Sequence, residues 1–358
     1  MKLEHVGIEV RDLFRMELFY RKVLGFEPVY RYLSRNTPGL RTVFLRREGT
    51  SIELLERPRA PADPAVTVAP AYHLAFEVED VDAAHARLAA LGLPALDLRA
   101  PRRTGDGYRE LELRDPEGNV IELSRRVAPP PAPPVRAVIF DVDGTLLDSE
   151  ENYFLADEEL LRRRGVPFTR QDKKRYIGGG NRDMMIDLKR RFGLAESAEE
   201  LAEEKNALYL DLAASNTRVY PEMKRFLLRV RQRGLSVAAA SGSAPLVLER
   251  LLGDGGLTVH LDAVVSAEDV ARGKPAPDVF LEAARRLGIP PDECLAVEDS
   301  RQGVEAACRA SMRCIAVPYL LDPPLDDNFL MADLLFAEGM ASFTAEAAYS
   351  WLEPRLVP

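Results

Sequence analysis

The stretch "VIFDVDGTLLDSE", Val138 to Glu150, ends an apolar run on two aspartates one residue apart and follows them at once with Gly144 and Thr145. Such a run is a strand buried on both faces, and a carboxylate at its end stands where a parallel sheet opens to ligand. Three more short apolar runs downstream also end in polar clusters: "LSVAAASGSA", "DAVVSAED" and "CLAVEDS". Helical stretches such as "PEMKRFLLRVRQRG", "PDVFLEAARRLG" and "RQGVEAACRA" alternate with them. The pattern predicts a doubly wound parallel sheet with every polar cluster at a carboxyl end.

The clusters are chemically complementary. Asp141 and Asp143 supply two carboxylates, Ser241 a hydroxyl beside the backbone amide of Gly242, Lys274 in "RGKPAPD" a cation, and Glu298 with Asp299 two further carboxylates. One Mg²⁺ and one phosphate would satisfy all of them, because a hard cation takes oxygen ligands while Lys, Ser and backbone N–H groups neutralise phosphate. Alternation points Asp141 and Asp143 to the same side, one to attack phosphorus and the other to handle the leaving group's proton.

Taken in order, "DVDGT", "SGS", "GKPAPD" and "EDSRQG" resemble the four motifs of the haloacid dehalogenase superfamily, over residues 136 to about 335. The resemblance implies Asp141 as nucleophile and Asp143 as general acid and base, with Thr145, Ser241 and Gly242 positioning phosphate. It also implies Lys274 as the neutralising lysine, and Mg²⁺ held by Asp141, Asp143 and Asp299 with support from Glu298. Dehalogenase members lack the second aspartate, so Asp143 points to chemistry at a P–O bond. The helix-rich segment of about 150–220 is expected to be a cap, with Gly178, Gly179, Gly180 and Arg182 of "YIGGGNRDMM" offering amides and a guanidinium to the substrate's distal part. Glu222 and Ser311 stand where relatives usually carry glycine.

In this superfamily the first motif lies near the amino terminus; here a complete domain precedes it. That domain repeats itself: "HVGIEVRDL" from His5 is matched by "HLAFEVEDV" from His73, and "SIELLER" from Ser51 by "VIELSRR" from Val120. Each copy reads strand, helix and three strands, predicting a paired βαβββ domain whose curved sheets enclose a cleft. His5, Glu53, His73 and Glu122 hold matching places, and two imidazoles with two carboxylates from related strands can converge on one divalent metal. His85 and His260 have no such pairing and are expected on the surface or in packing.

These residues, with "FYRKVLGFE" and "LRDPEGNVIEL", resemble the vicinal-oxygen-chelate superfamily over residues 1–126, and the His-Glu-His-Glu set looks most like glyoxalase I. The resemblance implies a divalent Ni, Co, Zn, Mn or Fe ion, a substrate with vicinal oxygens, and a homodimer. The alternative is a metal-free binding or dimerisation module.

Between the domains runs "VAPPPAPPV", residues 127–135, with five prolines in nine residues and no charge, a composition that favours an extended spacer. Residues 1–126 hold 20 basic and 20 acidic side chains and residues 136–358 hold 28 and 37, so the net charge of −9 belongs to the second domain. Neither half has the basic surface of a nucleic-acid binder. No apolar run approaches the ~20 residues that span a bilayer, and a cytoplasmic location is the default. Cys294, Cys308 and Cys314 are expected as buried, reduced thiols and are assigned no function. The expected protein is bifunctional: a Mg²⁺-dependent phosphatase for a small phosphorylated metabolite behind a metal-dependent lyase or isomerase domain. A phosphoglucomutase-like phosphoryl transferase is one alternative, and a phosphatase regulated by a non-catalytic metabolite-binding domain is another.

Overall fold

The computed structural model describes residues 2–58, 72–92, 97–114, 120–129 and 133–357. Residues 115–119 of the "LRDPEGNVIEL" motif and 130–132 of the proline-rich spacer lie outside these. The chain divides into two compact units, Met1–Ala132 and Pro133–Pro358.

In the first unit, β1 (Lys2–Glu9) leads into α1 (Leu13–Leu24) and then β2 (Glu27–Leu33), β3 (Arg41–Arg47) and β4 (Thr50–Glu56). The second copy runs β5 (Tyr72–Glu77), α2 (Val81–Ala89), β6 (Arg102–Arg103), β7 (Tyr108–Arg114) and β8 (Val120–Arg126). Each helix starts on an aspartate, Asp12 or Asp80, whose side chain accepts a backbone N–H of the first turn. The two copies are not a pair of facing sheets. They join edge to edge through antiparallel β1 and β5 into one eight-stranded sheet of order β2-β3-β4-β1-β5-β8-β7-β6.

Alternation along these strands separates two faces. Ile52 and Leu54 join Val43, Leu45, Val10 and Leu13 in a core beneath α1. Leu111, Leu113 and Leu123 do the same beneath α2 with Val81 and Ala84. Polar residues, His5, Glu53 and His73 among them, are left on the other face.

The second unit begins with β9 (Ala137–Phe140), the first part of the opening stretch, whose four side chains are all fully buried. Burial of such side chains on both faces stabilises by roughly 1.5–3 kcal/mol each, which fixes the strand at the sheet's centre. Next come β10 (Leu147–Asp148), four helices α3 (Glu150–Arg162), α4 (Arg170–Lys173), α5 (Asn181–Phe192) and α6 (Ala198–Asn216), and β11 (Arg218–Val219). β10 and β11 pair antiparallel, so the helical insert leaves and rejoins the core on two adjacent strands, and Asn152 Nδ2 donates to Thr217 Oγ1 at 3.0 Å beside them. The insert has its own core of Phe154, Leu160, Leu161, Met185, Leu188 and Leu201.

The sheet continues through α7 (Pro221–Gln232), β12 (Ser236–Ser241), α8 (Pro245–Asp254), β13 (Ala263–Ser266), α9 (Asp278–Leu287), β14 (Cys294–Glu298), α10 (Arg301–Arg309), β15 (Arg313–Ala316), β16 (Leu334–Leu335) and α11 (Ala345–Leu352). Its order, β13-β12-β9-β14-β15-β16, is all parallel. With β9 in the middle, β12 and β14 flank it, and the carboxyl ends of all three meet at one place.

Candidate active site and metal centres

Asp141 is the first residue beyond β9, and its N–H donates to Val297 O on β14 at 2.9 Å, which pins its side chain at the strand tip. Lys274 Nζ bridges Asp141 Oδ1 at 2.5 Å, the Glu298 carboxylate, and Ala240 O at 3.2 Å. Glu298 Oε2 in turn accepts from the backbone N–H groups of Asp299 and Ser300 and from Ser300 Oγ. Gly144 turns the chain with φ +81°, and a Cβ there would lie 2.3 Å from Asp299 Oδ2. Only glycine admits both the left-handed backbone and that approach.

Asp141, Glu298 and Asp299 bring one oxygen each within 4.8 Å of the others, all buried. Three carboxylates face one lysine, an excess of negative charge that burial makes costly. Burial first, then Glu298 and Asp143, push Asp141 well above the ordinary carboxylate range against the pull of Lys274. Burial, Asp141 and Glu298 do the same to Asp299. Asp299 Oδ2 has no hydrogen-bond partner among the described residues, while Thr145 Oγ1 donates to its Oδ1 at 3.5 Å. An oxygen-only donor set with surplus negative charge and an orphaned carboxylate oxygen fits Mg²⁺.

The Asp143 side chain is not in that cluster. Ser149 Oγ donates to its Oδ1 at 2.8 Å, and Ser241 Oγ and Ser243 Oγ donate to its Oδ2 at 3.1 and 2.6 Å. The expectation of a Mg²⁺-ligating Asp143 carboxylate is therefore corrected: three hydroxyls turn it away from Asp299. Ser241 spends its hydroxyl proton on Asp143 and accepts from Ser243 N at 3.0 Å.

A cavity of about 50 Å³ lies over Asp141 and Asp143, closed by Gly178, Gly179, Gly180 and Asn181 of the insert and lined by Ser241 and Gly242 of the core. Asn181 N donates to Gly242 O at 3.4 Å across this seam. Arg182 departs from expectation: α5 begins at Asn181, so the next residue points outward, where Arg182 pairs with Glu199 at 3.0 Å and is 63% exposed. Polar side chains of the insert that line the cavity include Asn181, Glu150, Lys173 and Lys205. Buried Asp157 pairs with Lys173 Nζ at 2.8 Å and Lys205 Nζ at 2.7 Å. Burial drives Lys205 down to about 8 and Glu150 up to about 7. The sequence does mark two of these: Glu150 closes the opening stretch, and Lys205 stands within an otherwise helical apolar pattern.

In the first unit, the cavity on the polar face measures about 360 Å³ and contains His5, Glu53, His73, Glu110 and Glu122. His5 Nε2 lies 3.0 Å from His73 Nε2 and 3.5 Å from Glu53 Oε2, and His73 Nε2 lies 3.4 Å from the same Glu53 oxygen. A first-row cation with bonds of about 2.1 Å spaces its donors roughly 3.0–3.4 Å apart, so the triangle fits one ion. Burial alone would depress His5, but Glu4, Glu53 and Glu122 outweigh it and lift His5 to about 10. Burial and the His5 charge lower His73 to about 4. The two Nε2 atoms face each other at 3.0 Å.

Glu122 faces the same cavity but is outside the convergent set of His5, Glu53 and His73. The register gives the reason. Gly7 pairs with both Glu53 and His73, and the His73 ring occupies the space above it: a Cβ at Gly7 would lie 1.7 Å from the ring. The matching residue between His5 and Glu122 is Ala75, whose methyl fills the place that Gly7 leaves open. Burial first, then Glu110, raise Glu122 well above the ordinary carboxylate range. The set of His5, Glu53 and His73 forms within one chain.

Residues 135–310 match the haloacid dehalogenase-like hydrolase family, and residues 2–123 match the Glyoxalase/Bleomycin resistance protein/Dioxygenase superfamily. The chain is 33% identical over 202 residues to hexitol phosphatase B of Escherichia coli (strain K12), covering 56% of this chain and 90% of that protein. It is 33% identical over 193 residues to beta-phosphoglucomutase of Bacillus subtilis (strain 168), covering 51% and 83%. Among solved structures, CbbY from Rhodobacter sphaeroides in complex with phosphate aligns with a TM-score of 0.52 and 26% identity over 58% of this chain and 98% of that one. The chain belongs to the haloacid dehalogenase-like hydrolases, with a glyoxalase-superfamily domain in front. No helix among the described residues is long and apolar enough to cross a membrane.

Proposed function

We propose that this haloacid dehalogenase-like hydrolase is a Mg²⁺-dependent phosphatase for a small sugar or polyol phosphate, fused to a second enzyme that handles a substrate with vicinal oxygens at a divalent transition metal. The phosphatase occupies residues 136–358 with its cap at about 150–220, the other enzyme residues 1–126, and residues 127–135 join them. One observation carries the phosphatase reading: Asp141, buried between Lys274 and the unpartnered Asp299 oxygen, has a second carboxylate two residues on that is held apart by three hydroxyls.

In this reading Asp141 attacks phosphorus and becomes an aspartyl phosphate. Asp143 gives the leaving alkoxide its proton and then takes one from the water that hydrolyses the intermediate, two easier steps in place of one hard one. Its hydrogen bonds to Ser149, Ser241 and Ser243 hold it at that task. Gly242 and Lys274 position the phosphoryl oxygens, joined by Thr145 and Ser241 once their hydroxyls turn from Asp299 and Asp143. Mg²⁺ held by Asp141 and Asp299, with Glu298 in support, would supply charge neutralisation on the phosphoryl group. The cavity, at about 50 Å³, has room for little more than a water or two, so the insert must swing on β10 and β11 to admit substrate and close to exclude water. Asn181, Glu150 and Lys205 then meet the distal hydroxyls.

A mutase reading has support in the equal identity to beta-phosphoglucomutase. A panel of sugar, polyol and organic-acid phosphates assayed with and without Mg²⁺ tests both. Mg²⁺-dependent release of inorganic phosphate supports the phosphatase; transfer of the phosphoryl group to another sugar phosphate with little release replaces it by the mutase; inactivity on every compound contradicts both.

In the first unit His5, Glu53 and His73 would hold the ion, and Glu122, which faces the same cavity, is placed to move a substrate proton. A regulatory first unit would change the phosphatase rate when its ligand binds, whereas an independent enzyme would leave it unchanged. A homodimer is the expected assembly, checked by sedimentation of the full chain.

A further inference from the structure

In a regular strand, Glu4 and His5 of β1 would point to opposite faces. They do not. Pairing of β1 with β5 shifts register between Leu3 and His5: Leu3 pairs with Phe76 and His5 with Ala75, so Glu4 is an extra residue with no partner of its own. A bulge of this kind re-aims a side chain. Here it turns the Glu4 carboxylate to the cavity side, where one oxygen meets His5 Nδ1 and the other accepts from Tyr108 OH at 2.8 Å. Tyr108 is buried and lies under the Arg126 guanidinium, 4.1 Å from the ring centroid. Among the described residues His73 has no equivalent: the residue before it is Tyr72, 57% exposed, and β5 pairs with β8 in unbroken register.

We propose that Glu4 is a positioning residue for the metal centre of the first unit: accepting the Nδ1 proton of His5, it fixes the tautomer that presents Nε2 to the ion beside Glu53 and His73. This rests on the metal reading of that unit and adds to it a carboxylate outside the ligand set. A carboxylate behind a ligating imidazole orients the ring and raises its basicity, and its loss typically costs about 10- to 100-fold in metal affinity. Tyr108, bonding the second oxygen, keeps the Glu4 carboxylate from rotating away.

The test is a Co²⁺ titration of the full chain in excess Mg²⁺, which the oxygen donors of the second unit would take, read by the visible Co²⁺ absorption and by competition with a chelator. Glu4→Gln, close in shape, is expected to weaken Co²⁺ binding about 10- to 100-fold and to shift the absorption band, because the imidazole donates less charge. Glu4→Asp restores part of the affinity, and Tyr108→Phe loses less than Glu4→Gln. Wild-type affinity and an unchanged spectrum in both Glu4 variants would overturn the proposal while leaving the metal centre standing. A wild-type chain that binds no Co²⁺ while His5→Ala behaves identically would overturn the metal centre and the proposal with it.

Discussion

The two units solve one problem, concentrating negative charge and lone pairs for a cation, in opposite ways. The second unit uses the ends of parallel strands. Asp141, Ser241 and Glu298 arrive together because β9, β12 and β14 lie side by side, and oxygen is the only donor type. The first unit uses the middle of strands, where two imidazoles and a carboxylate meet across Gly7 on one face of a continuous sheet. The strand-end site depends on the turn that Gly144 makes against Asp299, whereas the mid-strand site is decided by single side chains such as Gly7 and Ala75. The donor sets differ accordingly: hard oxygens suit Mg²⁺, and imidazole suits Zn, Ni, Co or Fe.

The largest effect separating the units is expected from Asp141→Asn. Phosphatase turnover should fall by about 10⁴-fold or more, as for loss of a covalent nucleophile, while metal binding by the first unit is unchanged. Phosphate release and Co²⁺ titration on the same preparation check both halves of the statement. Asp143→Asn should slow hydrolysis of alkyl phosphates by about 10²- to 10⁴-fold and slow phosphoryl transfer from an activated aryl phosphate much less, since that leaving group needs no proton. Equal losses on the two substrates would remove Asp143 from the acid role.

The contrast is sharpened by Gly7→Ala, which puts a methyl where the His73 ring lies and should weaken transition-metal binding by about 10-fold or more, leaving the phosphatase intact. The smallest effect concerns Glu150. Burial, opposed by Lys173 and aided by Asp143, raises it from 4.5 to about 7, so the folded state holds a proton that the unfolded chain has lost between those values. Its contribution to stability is complete below about pH 4.5 and is lost as pH rises through 7. Glu150→Gln, which cannot ionise, should remove this slope and make the second unit more stable than wild type at pH 7, by about 1–3 kcal/mol, measured by urea unfolding across pH 4.5–8.

Much of this was legible in the sequence for a physical reason. Strands buried on both faces are unbroken apolar runs, and the residues that end them lie at the sheet's carboxyl ends, which groups Asp141, Ser241, Glu298 and Asp299; Lys274, in the loop between β13 and α9, is marked only by its motif. The internal repeat likewise exposed His5, Glu53 and His73. What stayed hidden depends on side-chain direction within an element. Asp143 belongs to the site but serves three hydroxyls, and Arg182 faces away from the cavity because α5 begins one residue earlier. Glu122 is separated from the triad by one methyl group, and Glu4 joins His5 only through a bulge that alternation cannot foresee. Ser311 is a case where the departure was visible and its consequence was not: it holds φ at +63°, the left-handed region in which glycine is favoured.

The proposed mechanism requires that Asp141 carry the phosphoryl group during turnover. The direct measurement is rapid acid quench of the full chain during Mg²⁺-supported turnover of a reactive phosphate substrate, followed by peptide mass analysis. One phosphoryl group is expected on the peptide carrying Asp141, removed by hydroxylamine and missing from Asp141→Asn. Steady turnover with no labelled peptide, or with the phosphoryl group on another residue, would contradict it.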